Sequence, residues 1–467
     1  MNRAHNPGFR AATIQQLRHP PSREIALRAQ APPPPSRLQS VFYLGTFLVL
    51  CAAHSLLPVE RGLPTISFVK GAPLTITIII SIALFLALVI ESKGAIFKSI
   101  DPTYIRWQLL FVAGLSISVF FSPDAKGAAF VLLNYCVTFI INFSTLSYIL
   151  RRGSRAGAAR TVCVIALIVA GIGFIEYEFR YYIPLYAACF KRFGYGDMTY
   201  AMAQTGDKLR LLGTLGNSIL HGALLALALP YALGEKGLMK WLCCSALIAG
   251  IILSTSATGV TMAAIVCIWP MYRLALRSPV AAILLLIVAI AGGEYFFAAD
   301  GVISQLSDSN RALRVDSGNV LGRLNYAEIA LDDILTNDSV AEIVVGRGIK
   351  TTRNITAPAD DTYGASIENS WLTLAFEAGL PTAALFIGSQ IAVLANLRRY
   401  APKSAHWWAI LAMCAAGASF TTVYYASVNF LYVASIAWLT TEREKPSALY
   451  FAVQNARSPA PVELCVG

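Results

Sequence analysis

The side chains best suited to chemistry in this chain are acids and arginines at the edges of apolar runs. Ser366–Phe386, "SIENSWLTLAFEAGLPTAALF", carries two carboxylates, Glu368 and Glu377, where an otherwise apolar helix begins. A carboxylate in a suitable environment can act as a general base. Glu368 would also stand near a helix N-terminus, where the dipole favours an acid whatever its role. Glu377 lies nine residues on, about two and a half turns along a continuous helix and on roughly its opposite face. An acid inside a membrane span costs about 2.5–3.5 kcal/mol on insertion scales, so it pairs or lines a cavity. Glu377 therefore reads as a structural pairing residue.

A second candidate opens the run "KLRLLGTLGNSILHGALLALALPYAL" (Lys208–Leu233). Arg210 stands before a turn holding Gly213 and Gly216, and Asn217 can cap the helix that follows. A helix N-terminus beside an arginine is a fitting seat for an anion such as phosphate. The plain alternative is an arginine anchored at the membrane interface. Metal chemistry gets no support. His5, His19, His54, His221 and His406 are dispersed, and no Cys/His ligand spacing occurs. Most of the nine cysteines lie inside apolar runs as small fillers. Only Cys189 falls in an expected external loop, so no external disulfide is available. No cofactor is implied.

The elements that must position these residues are membrane helices. Of 467 residues, 56% are hydrophobic and only 13% charged, against roughly a quarter charged in soluble domains. Hydropathy gives about twelve spans of the length that crosses a hydrocarbon core. Their limits are near 40–57, 73–91, 105–121, 128–149, 161–177, 217–234, 238–254, 257–273, 279–298, 369–395, 405–420 and 423–440. Each must be helical, because lipid offers the backbone no partner.

Basic clusters set the orientation. The tail carries Arg3, Arg10, Arg18, Arg23, Arg28 and Arg37 against Glu24, and "RRGSRAGAAR" (Arg151–Arg160) follows the fourth span. Lys236 and Lys240, Arg273 and Arg277, "LRRYAPK", and Arg443 with Lys445 continue the alternation. All fall on one side if both termini are cytoplasmic. Topology and attraction to anionic lipid thus account for the net charge of +11, and no nucleic-acid partner is needed. The domain reading has three parts. Residues 1–38, with "APPPPS" and no apolar h-region, form a disordered basic cytoplasmic tail rather than a signal; 39–440 form the polytopic domain; 441–467 form a cytoplasmic C-terminal tail. No internal repeat is visible, so an inverted-repeat transporter is unsupported.

Two external connections are long, Arg180–Gly216 and Ala299–Ile367, the second between spans nine and ten. Connections of this size are functional or disordered. Within the second, "RLNYAEIALDDIL" places Leu324, Ala327, Ile329, Leu331 and Ile334 near helical spacing, so part of it folds as helix. A solvated structural loop is the alternative.

Taken in order, these stretches resemble the O-antigen ligase and polymerase superfamily of bacterial envelope glycosyltransferases. The resemblance covers about Lys208–Phe386 and rests on Arg-then-"GTLGN", "STSATG" (Ser254–Gly259), "GRLNYAEIAL" (Gly322–Leu331), "VGRGI" (Val345–Ile349) and "ENSWLTLAFEAGL". Asn369, Leu372, Glu377, Gly379 and Leu380 fit the family's closing pattern; Arg210, Gly213, Thr214 and Asn217 fit its earlier one. The family's loop arginine falls on Arg323 and its Gly-x-Gly turn on Gly346 and Gly348. There are two departures. The family's histidine is replaced by Glu368, and its Ser-Arg pair appears as "SAT" without arginine.

The resemblance implies an all-α integral membrane protein, GT-C-like, with about twelve helices and a large, partly helical periplasmic loop. It implies a bacterial inner-membrane glycosyltransferase whose donor is an oligosaccharide on a polyprenyl diphosphate and whose acceptor is a glycan. Arg210 and Arg323 would stabilise the diphosphate leaving group through planar, bidentate contacts, with Arg347 and Lys350 next in rank. Glu368 would serve the acceptor hydroxyl, and a single inverting displacement would need no metal. The first expectation is a polymerase of lipid-linked repeat units for O-antigen or exopolysaccharide, with a chain-length regulator and a flippase as companions. The alternatives are a ligase transferring glycan to lipid A core and, from another class, a flippase of lipid-linked glycans. Charges gathered in loops rather than along a central cavity favour chemistry over transport.

Overall fold

The structure is a computed structural model that describes residues 35–57, 66–69, 72–179, 211, 213–215, 217–254, 256–278, 280, 327–336, 339–349, 351, 369–417 and 425–442. The ninth expected span, 279–298, and both tails apart from a few residues lie outside these.

Caps in the sequence set most helix starts. Helix α1 (Arg37–Leu56) opens with a capping box, in which Ser36 and Gln39 each accept from the other's main-chain N–H. A two-stranded antiparallel hairpin, β1 (Ile66–Val69) with β2 (Ala72–Leu74), precedes α2 (Ile76–Glu91). This is a small departure from an all-α chain, and it shortens the second expected span at its start. Helix α3 (Pro102–Phe121) begins with Asp101 accepting from the Tyr104 N–H and with proline in its first turn.

Helix α4 (Ala125–Arg152) contains a π-helical turn, Cys136–Ile141, where the Asn142 N–H reaches back five residues to the Val137 carbonyl. Next come α5 (Arg155–Phe179), α6 (Ser218–Gly234), α7 (Gly237–Leu253) and α8 (Ala257–Arg277). After a helical stretch at 327–335, the chain forms α9 (Val340–Val345), α10 (Ser370–Ala378), α11 (Leu380–Leu397), α12 (Ala405–Ala416) and α13 (Ala426–Glu442).

Among the described residues, six helical segments are long and apolar enough to cross a membrane: α1, α3, α4, α5, Ala257–Ala275 of α8, and Leu380–Tyr400. Helices α2, α6, α7 and α12 are apolar but shorter. The protein is thus a helical, multi-pass membrane protein. Helices α6 and α13 form its centre, buried along nearly their whole length, as helices apolar on every side should be. Around α6 pack α5, α7, α8, α12 and α13; α11 lies along α3.

Two expectations need correction. The tenth span, read as one helix over 369–395, is two helices broken at Gly379, which has φ +83° and ψ 159°. Helix α10 begins at Ser370, so Glu368 precedes it, and the two acids do not sit on opposite faces of one helix. In the stretch 327–335, Ala330 and Ile334 are buried while Ile329 and Leu331 are exposed. At about 100° per residue, the exposed pair falls to either side of the stripe through 330 and 334.

Candidate functional site

The two stretches "VGRGI" and "EAGL" form one junction. Short helix α9 is capped by Ser339 and closes with the Gly346 N–H on the Glu342 carbonyl. The next residues cross the end of α10: the Arg347 N–H donates to the Phe376 carbonyl and the Gly348 N–H to the Glu377 carbonyl, each at 3.0 Å. The crossing is closer than any side chain permits. A Cβ on Gly346 would lie 2.3 Å from the Glu377 carbonyl oxygen, and one on Gly379 would lie 2.2 Å from that of Val344. Both glycines also have φ near +80°, which L-residues rarely adopt. Spatial approach and backbone conformation therefore each require glycine at both positions.

Helix α3 supports the junction from the side. The Ser118 hydroxyl donates to the Glu377 carbonyl at 2.7 Å, and the Ser122 hydroxyl to the Ile349 carbonyl at 3.1 Å. The Glu377 side chain is 1% exposed. At the other end of α10, the Asn369 side-chain oxygen accepts from the Trp371 and Leu372 N–H groups at 2.9 and 3.0 Å, and the Ser370 N–H donates to the Gly417 carbonyl after α12.

Arg347, ranked among the diphosphate ligands, has a different setting. Its guanidinium pairs with Asp333 and Glu342, each at 2.9 Å, and lies over the Phe376 ring at 5.1 Å. Two carboxylates already surround this cation, which binds α9 to the helical stretch before it.

The entry to α6 repeats the asparagine cap. Asn217 accepts from the Ile219 and Leu220 N–H groups at 2.8 and 3.4 Å. Before it, Gly213–Leu215 makes a 3-10 turn whose Thr214 hydroxyl donates to the Ser55 carbonyl at 2.7 Å. The Gly213 N–H, part of the seat that suits a phosphate, is taken at 2.9 Å by the buried carboxylate of Glu176 on α5. In "STSATG", Ser256 caps α8 by accepting from the Gly259 N–H at 3.1 Å, so the turn without arginine serves as a helix start.

The structure thus brings together Gly346, Arg347, Gly348, Glu377 and Gly379, with Asn369 one helix length away, and it sets Asn217, Gly213 and Thr214 at a separate turn. Arg210, Arg323, Lys350 and Glu368 lie outside the described residues. Glu176, Ser118 and Ser122 escaped the sequence reading, and His221 entered it only as one of five dispersed histidines. Their signal was a polar side chain interrupting an apolar run, the feature that had singled out Glu377. Among the described residues no group of three or more His, Cys, Asp or Glu is placed to hold a metal ion. No protein-family model matches this chain, and no curated protein matches it in sequence.

Proposed function

We propose that this protein is a membrane glycosyltransferase that joins polyprenyl-diphosphate-linked oligosaccharide repeat units into a surface polysaccharide at the periplasmic face of a bacterial inner membrane. The observation that carries this reading is the α9–α10 junction. Two stretches that resemble separate motifs of envelope glycosyltransferases, "VGRGI" and "EAGL", meet through two main-chain hydrogen bonds and two mutually interlocked glycines. The helical, multi-pass membrane fold supports it as well. In this reading there are about twelve spans, both termini are cytoplasmic, and the long loop is periplasmic.

The chemistry is a single displacement. An acceptor hydroxyl attacks the anomeric carbon, the sugar–phosphate bond breaks, and its electron pair leaves with the lipid diphosphate. Arg210 and Arg323 meet the growing negative charge, and Glu368 takes the hydroxyl proton. The test is polymer formation from purified lipid-linked repeat units. Arg210→Ala and Arg323→Ala should each abolish it without preventing membrane insertion, and Lys at either position should rescue poorly, since a point charge cannot replace the planar fork. Full activity in both Ala variants removes them from the mechanism. Transfer only to a lipid A core would identify a ligase, and movement of donor without acceptor a flippase.

A further inference from the structure

The turn that leads into α6 is held from three helices. From α5, Glu176 accepts the Gly213 N–H through Oε2 at 2.9 Å; on α1, the Ser55 carbonyl accepts the Thr214 hydroxyl at 2.7 Å. From α6, the His221 ring lies over Gly213, where φ is +56° and a Cβ would fall 2.1 Å from Nδ1. Leu211, just before the turn, is 0% exposed and lies against Gly173 of α5, on which a Cβ would come within 3.3 Å of its Cδ1. Gly213, Thr214 and Leu215 are buried as well.

Glu176 is 0% exposed. A buried acid is costly to place in a membrane protein and marks a function. Here it grips a main-chain N–H, and a charged acceptor holds such a donor about twice as strongly as a neutral one. With its N–H taken by the acid, Gly213 does not serve a phosphate. What the clamp fixes is the backbone of the turn, and with it the base of the side chain that precedes it. Arg210 is joined to Leu211 by one peptide bond, which sets their Cα atoms about 3.8 Å apart. A reacting group misplaced by about 1 Å can cost roughly 10²-fold, so an arginine that meets a diphosphate needs a fixed base.

We infer that Glu176 is a positioning residue for Arg210, acting through Gly213 to fix the turn from which that arginine meets the donor diphosphate. This rests on the glycosyltransferase reading and adds to it the residue that holds one of its ligands in place.

The experiment is a double-mutant cycle on the Kd of a polyprenyl diphosphate, the expected product, measured with the purified full-length protein in detergent. Glu176→Leu keeps much of the side-chain volume and removes the acceptor. It should raise Kd by about 10–100-fold, the range for a hydrogen bond to a charged group, yet change little in the Arg210→Ala background, where Arg323 keeps binding measurable. Glu176→Gln retains an acceptor for the Gly213 N–H and should restore most of the affinity. A merely structural role would weaken binding by the same factor in both backgrounds; that result, or an unchanged Kd in Glu176→Leu, overturns the inference and leaves Arg210 a ligand. If Glu176→Leu does not fold, Thr214→Val loosens the same turn through an uncharged contact. It should show the same dependence on Arg210, at about 2–10-fold. If Arg210→Ala alone leaves Kd unchanged, or the unmodified protein does not bind the diphosphate, the glycosyltransferase reading loses its ligand and this inference falls with it.

Discussion

Helices α6 and α10 start alike and end differently. Each has an asparagine at its N-cap with φ of −149°, accepting from the N–H groups two and three residues on. Helix α6 then continues for 17 residues through the centre of the bundle, whereas α10 stops after nine at Gly379. Around the start of α6 the buried polar groups are side chains, Glu176 and His221; around the end of α10 they are largely main chain, held by the Arg347 and Gly348 N–H groups and the Ser118 hydroxyl of α3. One terminus buries polar side chains inside the bundle. The other is built to fix the path of a loop against a broken helix.

The contrast can be broken most severely at the α10 junction. Gly379→Ala or Gly346→Ala combines a backbone collision with an unfavourable φ, and the two penalties together should destabilise by about 3 kcal/mol or more. Thermal unfolding in detergent should show it, with Gly94→Ala as the control. Gly94 shares the φ, at +78°, but its Cβ would meet nothing within 4 Å, so about 1 kcal/mol is expected there. Equal melting of all three variants would show that the interlock contributes nothing.

Next in size is Glu368→Gln, just before the α10 cap. A general base contributes about 10²–10⁴-fold, so turnover should fall by that range while stability moves by no more than roughly 1 kcal/mol. Near-normal turnover reduces Glu368 to a companion of the helix dipole, and partial activity in Glu368→His would indicate a shared acceptor-side role.

Smaller again are the caps. Asn217→Ala and Asn369→Ala should each cost about 1 kcal/mol, and urea unfolding would measure whether two equal caps have equal worth in unequal surroundings. Smallest is Arg347→Ala. Its two ion pairs are partly solvent-exposed, and pairs of that kind are worth less than about 1 kcal/mol. Polymer formation should survive, and its loss from a folded protein would return Arg347 to the diphosphate site.

Hydropathy placed α6 and α7 almost to the residue because Asn217 and the "GEKG" break mark their ends locally. It ran through Gly379 because averaging hides a single residue. Yet "EAGLP" had the right marks, a glycine fit to end one helix and a proline in the first turn of the next. The contacts of Gly346 with Glu377 and of Gly379 with Val344, and that of Glu176 with Gly213, were beyond reach. They join residues more than thirty positions apart, and nothing in the local pattern specifies such a pairing. His221 was legible as a residue but not in its setting. An isolated histidine in "SILHGALL" gives no hint that neither of its nitrogens finds a hydrogen-bond partner among the described residues.

The π-turn in α4 has a genetic consequence. Such a turn is one residue longer than the α-helical path it interrupts, so loss of a single codon between 136 and 141 would leave a shorter but regular helix. Because the wide turn already absorbs the extra residue, the helix beyond it would keep close to its present facing, and Asn142, Phe143, Thr145 and Leu146, all 0% exposed, would stay near their present neighbours. A one-residue deletion here should therefore be tolerated better than the same deletion between 144 and 150, where no wide turn takes it up and everything after it would turn by about 100° about the axis.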